Sequence, residues 1–342
     1  MNRKWIITGG AGFIGCHAAA LFHERGDRVV LVDNLSRRGA DANLSWLRDR
    51  GVTDFVKADI RDARAMADVI GTHRDADCVL HLAAQVAVTT SVKNPREDFD
   101  INALGTFNVL EAVRTAAGGG PAVIYASTNK VYGNLEHVRV VERDGRYAYE
   151  DRPRGVDEAE AMDFHSPYGC SKGAGDQYVR DYSRIYGLKT VVFRQSCIYG
   201  TRQFGIEDQG WIAWFCVAAT SGQPFTIFGD GKQIRDALWV GDLVDAYERA
   251  LDRMGAVSGE VFNVGGGPEN ILSLNELVAF LSRAFGRDFA PPYADWRPGD
   301  QRVFVADIGK ARRLLDWSPE VPIAEGVEQL LGWVRENRAL FA

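Results

Sequence analysis

Thr8-Gly9-Gly10-Ala11-Gly12-Phe13-Ile14-Gly15 is the stretch whose reading decides the fold. Residues 4–8 read as a short apolar strand, and the residues after Gly12 read as an apolar helix reaching about Arg25. Glycines at 9, 12 and 15 let the backbone turn tightly and approach a pyrophosphate. The start of the helix adds free N–H groups and a favourable dipole. The spacing is Gly-x-x-Gly-x-x-Gly rather than Gly-x-Gly-x-x-Gly, so the next strand carries weight. It covers residues 28–32 and ends at Asp33, 18 residues after Gly15. A carboxylate there accepts hydrogen bonds from the adenosine ribose hydroxyls and repels a 2′-phosphate. NAD is therefore expected in preference to NADP, with Arg37 and Arg38 close enough in sequence to help a phosphate.

Outward from this motif the pattern repeats. A third strand at 53–57 ends at Asp59-Ile60, an edge for the adenine. A fourth at 78–82 ends in Ala83-Ala84-Gln85, where small residues let a cofactor lie against the strand end. A helix over 95–115 carries Asn102, and a fifth strand at 122–126 runs into Ser127-Thr128-Asn129-Lys130-Val131-Tyr132-Gly133. A sixth strand is expected at 189–194, and a last one at 261–264. Strands alternating with helices, with chemistry-bearing residues at the strand carboxyl ends, predict a doubly wound parallel α/β sheet with its ligand along that edge.

A second stretch supplies chemistry: His165-Ser166-Pro167-Tyr168-Gly169-Cys170-Ser171-Lys172. Ser166 suits an N-cap and Pro167 the first helical position. Tyr168 and Lys172 then share one face of a helix reaching about Tyr186. A free phenol, with a pKa of about 10, is a poor base at neutral pH. A neighbouring ammonium favours the phenolate, and a cationic nicotinamide adds to that.

The chain of 342 residues has room for one large α/β domain and a smaller lobe. Its net charge of −6 argues against nucleic acid or an anionic membrane as partner. No apolar run reaches the roughly 18 residues of a membrane span, and the start lacks the layout of a signal peptide. Cys16, Cys78, Cys170, Cys197 and Cys216 are scattered and odd in number, with no Cys-x-x-Cys spacing. They predict reduced thiols in a cytoplasmic protein, and no metal site is expected.

Together these motifs resemble the extended short-chain dehydrogenases/reductases, in particular the nucleotide-sugar epimerase and dehydratase group. The resemblance spans essentially the whole chain. It rests on residues 8–15, Asp33, Asp59, His81-Leu82-Ala83-Ala84, Asn102, Ser127-Thr128 before Val131-Tyr132-Gly133, and Tyr168-x-x-x-Lys172. It implies a Rossmann-type domain over 1–196 plus about 235–264, and a nucleotide-sugar lobe over about 197–234 plus 265–342. It makes Thr128, Tyr168 and Lys172 the catalytic trio. Thr128 would bond the reacting sugar oxygen, Tyr168 would act as base and acid, and Lys172 would hold the nicotinamide ribose and depress the tyrosine pKa. It places Gly9, Gly12, Phe13, Ile14, Asp33, Asn34, Arg37, Asp59, Ile60, Leu82, Ala83, Ala84, Asn102 and Gln195 at a tightly bound, regenerated NAD. Arg235 and Arg297 match arginines that hold a diphosphate, for which guanidinium forks suit; the alternative is ion pairing with Asp236 and Asp300. Thr226 and Phe228, in an edge strand at 225–228, would lie beside the base. A homodimer through helices near 95–115 and 167–187 is implied as well.

Within the group, the sugar 4,6-dehydratases carry Asp-Glu after the catalytic Thr, whereas this chain has Asn129-Lys130, which removes the acids for dehydration. About 35 residues separate Tyr132 from Tyr168, room for a flap over the sugar. Cys197 stands where most relatives have a phosphate-contacting Asn. With Phe164–Lys172 and Asp208-Gln209-Gly210-Trp211, these features resemble the subgroup that inverts C2 of a CDP-3,6-dideoxyhexose, CDP-paratose or CDP-tyvelose, with bound NAD. Gln85, Asn129, Lys130, His165, Gln209 and Asp300 are then further candidates for gripping the substrate. The alternatives are a 2-epimerase of a GDP- or UDP-linked hexose, or a nucleotide-sugar 4-epimerase.

Overall fold

The computed structural model describes residues 2–341 apart from Ala117 and Pro298. Its strands, in chain order, begin with β1 (Lys4–Thr8), β2 (Arg28–Asp33), β3 (Phe55–Lys57), β4 (Cys78–His81) and β5 (Ala122–Thr128). Then come β6 (Val140–Arg143), β7 (Arg146–Tyr149), β8 (Thr190–Gln195), β9 (Cys197–Tyr199) and β10 (Ile227–Phe228). The last are β11 (Ile234–Trp239), β12 (Glu260–Val264), β13 (Ile271–Ser273), β14 (Tyr293–Ala294) and β15 (Val303–Phe304). A seven-stranded sheet has the order β12-β8-β5-β4-β1-β2-β3, and every pair in it is parallel. The chain leaves β1 toward β2 and later returns to its other side as β4. That reversal opens a crevice at the carboxyl ends of β1 and β4, where α/β sheets bind ligands.

The central strands are near-continuous apolar runs because both faces of the sheet are covered. Alternate residues feed separate cores. Trp5, Ile7, Leu31, Leu80 and Ile124 enter one cluster, and Ile6, Val30, Val79, Val123 and Val192 enter the other. Helices Phe13–Glu24 and Val240–Asp252 cover the first face; Ala63–Thr72 and Gly105–Thr115 cover the second.

The expected helix over 95–115 is three joined pieces: Pro95–Phe99, a wide π-helical turn Asp100–Leu104, and Gly105–Thr115. The turn widens where Gly105 N–H reaches back to Asp100 O and the Thr106 hydroxyl donates to Asn102 O at 2.6 Å. The helix Pro167–Tyr186 forms as read. Ser166 accepts from Gly169 N–H, and Gly187, at φ +68°, closes it.

Three boundaries differ from expectation. The strand expected at 225–228 shortens to β10, paired only with β14. β11 lies in a small sheet with β9, β13 and β15 rather than in the large sheet, which the chain rejoins at β12. The insertion before Tyr168 is no free flap: β6 and β7 form a hairpin docked on the small lobe. Tyr147 N–H donates to Lys232 O at 3.0 Å, its hydroxyl to Asp230 at 2.6 Å, and the Tyr149 hydroxyl to Val303 O at 3.0 Å. Burying those two aromatic rings outweighs leaving the segment mobile. Among the described residues no helix is long and apolar enough to cross a membrane.

Candidate active site

Gly9, at φ +71°, turns the chain out of β1; a Cβ there would lie 2.8 Å from Ala83 N. A Cβ at Gly15 would overlap the Gly9 carbonyl oxygen. The glycines therefore keep a cradle open that side chains would fill. Gly12 caps the helix Phe13–Glu24 without any side-chain bond, so its first N–H groups face the crevice. Asp33 accepts from Ala11 N–H at 3.0 Å and Leu35 N–H at 2.7 Å. Burial pushes its carboxyl above the usual value, and those N–H groups pull it back. This cradle, the uncapped helix and the strand-end carboxylate fit a dinucleotide.

One cleft of ≈ 410 Å³ runs along this edge. It is lined by Gly9, Gly12, Phe13, Ile14, Asp33, Asn34, Arg37, Asp59, Ile60, Leu82, Ala83, Ala84, Tyr168, Lys172 and Gln195, as expected of a cofactor site. Asn34 donates to Asp59 at 2.9 Å, while bonds from Arg61 hold the Asp59 carboxyl down at about 2. Gln195 is held by the Tyr247 hydroxyl.

Asn102 is the exception: it stands behind the cleft. Its amide accepts from Gln85 N–H at 2.9 Å and donates to Gln85 O, Asp98 and Ser171. It braces the strand end. Gln85 lines the cleft, but its amide is engaged, donating to Ala87 O at 2.9 Å and Asp98 at 2.8 Å and accepting from Ala87 N–H at 2.5 Å. In this structure those bonds occupy the Gln85 amide.

Thr128 ends β5 and caps the turn Asn129–Tyr132, accepting from Lys130 N–H at 3.2 Å. Tyr168 and Lys172 sit one turn apart on the buried face of the following helix. Burial pushes the Tyr168 phenol up to about 12, and Asp98 adds to that; a hydrogen bond with Thr128 and the Arg37 charge pull it back. Lys172 Nζ donates to Ala126 O at 2.5 Å and lies 4.2 Å from the centre of the Tyr125 ring. Burial lowers its pKa to about 7, against the opposing charges of Asp176 and Asp98. The Arg37 charge is one of the influences that lower the phenol's pKa.

The substrate candidates cluster at the small-lobe end. Arg235 pairs with Asp300 at 2.6 Å, and Arg297 pairs with Asp208 at 3.2 Å while lying 3.8 Å above the Phe228 ring. Asp236, the other expected partner, is turned inward and accepts from Ser196, Gly267 and Ala306. Of the Arg297–Asp300 stretch, Pro298 lies outside the described residues. Lys130 Nζ donates to Gly299 O at 3.2 Å, and burial lowers its pKa to about 8. Asn129 is buried beside Thr128. Thr226 is half-buried next to β10. His165 is exposed and bonded to Asp163 at 2.9 Å. Gln209 lies across the cleft, accepting from Arg37 at 3.4 Å.

Two features escaped the sequence reading. Arg202, Gln203 and Phe204 line the cleft opposite the glycine turn. Asp176 and Arg194 form a buried bidentate pair beneath the trio, at 2.9 and 3.0 Å. The first was signalled by the run Thr201–Gly205, which had no role assigned. The second was signalled by Asp176 lying one turn beyond Lys172 on the same helix face.

Asp33 carries a prediction. Asp33→Ala is expected to weaken NAD binding and narrow its preference over NADP, because the carboxylate that repels a 2′-phosphate is gone. Isothermal titration with both cofactors checks it; equal affinities in the unaltered protein would shift the role to Arg37 and Arg38.

Residues 5–265 match the model of the NAD dependent epimerase/dehydratase family. The CDP-paratose 2-epimerase of Salmonella typhi is 47% identical over 335 residues, covering 96% of this chain and 98% of that protein. The UDP-glucose 4-epimerase of Thermotoga maritima, solved with UDP-glucose, superposes with a TM-score of 0.83 at 32% identity, covering 98% and 99% of the two chains. The UDP-glucose 4-epimerase of Thermus thermophilus, solved with NAD, superposes with a TM-score of 0.81 at 30% identity over 98% and 99%. With the strand order, the glycine cradle and Tyr168-x-x-x-Lys172 on one cleft, the matched span and these relatives lead to one conclusion: the chain belongs to the NAD dependent epimerase/dehydratase family.

Proposed function

We propose that this chain inverts C2 of a CDP-linked 3,6-dideoxyhexose, interconverting CDP-paratose and CDP-tyvelose. One observation carries the redox reading: Tyr168 and Lys172 line the dinucleotide cleft together with Ser127, which directly precedes Thr128 at the end of β5. The cytidine and the C2 position rest on the 47% identity to the Salmonella typhi enzyme.

C2 of such a sugar has no neighbouring carbonyl, so its hydrogen is not acidic and simple deprotonation fails. Oxidation of the alcohol does work, and bound NAD supplies the acceptor for that reversible oxidation. Tyr168 takes the proton of the 2-hydroxyl and later returns it. Thr128 hydrogen-bonds the same oxygen and fixes its approach. Lys172 would hold the nicotinamide ribose and keep positive charge near the phenolate. Arg235 and Arg297 exchange their aspartate partners for the diphosphate, anchoring the nucleotide while the sugar turns. Asn129, Lys130, His165 and Gln209 stand around the sugar, and Thr226 and Phe228 beside the base.

Isotope tracing tests this. Substrate deuterated at C2 should yield epimer that keeps the deuterium, and turnover in heavy water should add none there. Solvent deuterium at C2 would sink the redox scheme; inversion at C4 with C2 untouched would select the 4-epimerase alternative. Activity on GDP- or UDP-hexoses alone would select the other 2-epimerase.

We further propose a dinucleotide-binding part made of 1–196 and 240–264, with the small lobe made of 197–239 and 265–342. Sheet membership supports this division. Exposed Val92, Phe99 and Phe107, with Tyr178, Ile185 and Tyr186 on the adjoining helix, support a homodimer through those faces. Sedimentation at monomer mass would overturn it. The free thiols and the acidic balance support a cytoplasmic location.

A further inference from the structure

The run that leaves β9 toward the helix Trp211–Ser221 crosses from the small lobe onto the glycine-turn side of the cleft. The Thr201 carbonyl meets His17 Nε2 at 2.9 Å. Arg202 holds a left-handed backbone, φ +57°, which residues with side chains adopt only where their surroundings enforce it. Its guanidinium is buried, donating to Asn43 Oδ1 at 3.1 Å and Ala42 O at 3.3 Å and lying 4.3 Å from the centre of the Trp46 ring. The Phe204 ring packs so closely over Gly39 that a Cβ there would overlap it. Farther on, Gln209 accepts from Arg37, which stands on the loop after β2. The same segment is tied to the substrate end, where Asp208 pairs with Arg297.

Between these ties lies Gln203. It is 4% exposed, its amide nitrogen donates to Ile198 O at 3.3 Å, and its Oε1 is buried with no partner among the described residues. Gln203 is among the residues that line the dinucleotide cleft. A buried amide oxygen without a donor is uncommon and calls for one.

We propose that residues 201–209 are a strap closing the dinucleotide cleft from the small-lobe side, with Arg202 as its pin. This rests on the NAD-dependent reading above. The strap suits that chemistry. An enzyme that must release reduced cofactor needs an open cleft, whereas one that regenerates NAD in each turnover gains from keeping it in. For NAD to leave, the strap must lift, which separates the Arg202 fork from Asn43 and its stack from Trp46.

The test is exchange of bound NAD for isotope-labelled NAD in the purified full-length chain, with cofactor content per chain measured after denaturation. Arg202→Met keeps the stem and removes the fork; Phe204→Ala loosens the seat on Gly39 and leaves Arg202 in place. Each should speed exchange by roughly tenfold or more, since such changes act mainly on dissociation. Arg202→Lys should fall between wild type and Arg202→Met, because an ammonium cannot reproduce the fork. Folding of each variant is checked by circular dichroism, and Phe204→Ala decides the matter if Arg202→Met does not fold. Wild-type exchange rates in the folded variants would overturn the strap alone. A wild-type chain that binds no NAD would overturn the cofactor reading beneath it.

Discussion

Tyr168→Phe is expected to lower turnover by about 10²–10⁴-fold, the range for removing an acid–base group, or roughly 3–5 kcal/mol of barrier. The change deletes one oxygen and keeps the ring. That ring is 8% exposed and packed at the start of a helix capped by Ser166 and closed by Gly187. The glycine cradle, Asp33 and Lys172 are untouched, so NAD content and thermal stability should stay close to wild type. The oxygen is expensive to lose because its surroundings set its basicity. Burial pushes the phenol to about 12, and the Thr128 bond and the Arg37 charge work against that. Without the hydroxyl, Thr128 still meets the sugar oxygen but has no proton carrier beside it. Steady-state rates together with NAD content check the result. Near-normal turnover would mean that another group is the base.

The parts of this site that were legible in the sequence are those that local chemistry fixes. The turn at Gly9, the carboxylate at the end of β2 and the Ser166-Pro167 helix start each depend on neighbours a few residues away. They appear where the residue types require them. What was not legible depends on partners far along the chain. Gln85 reads as a free amide until Asp98 is seen to hold it, and Asp98 itself is fixed by Ser171, 73 residues farther on. Asn102 braces the cleft for the same reason. The hairpin β6–β7 reads as a flap because nothing near 140–149 announces Lys232 or Val303 as partners. β11 carries the apolar character of either sheet, and pairing with β9, β13 and β15 decides its membership. Arg202 carries no signal in its own neighbourhood for Trp46 and Asn43, which close around it from more than 150 residues away.

Asp176→Ala is expected to destabilise the protein by about 3–5 kcal/mol, the cost of breaking a buried ion pair from one side. Asp176 is fully buried and Arg194 is 3% exposed. Their two bonds are joined by Ser127 on the carboxylate, at 2.9 Å, and by the Tyr132 hydroxyl on the guanidinium, at 3.1 Å. Tyr132 passes the link to Asn263 in β12 at 2.7 Å. Removing the carboxylate leaves a guanidinium in the interior with only a phenol oxygen and the Met162 sulfur near it. Asp176→Leu combined with Arg194→Met should recover most of the loss, because neither charge is then buried. Urea denaturation of the three proteins checks this; a single variant as stable as wild type would show that the pair contributes nothing. The same carboxylate also acts on the reaction. Burial depresses Lys172 to about 7, and Asp176 is the first of the charges opposing that. Without Asp176, the pKa of Lys172 falls further and less of it carries its proton at neutral pH. The alkaline limb of the activity profile that Lys172 controls should therefore move to lower pH in Asp176→Ala, a shift that a purely structural role for Asp176 would not produce.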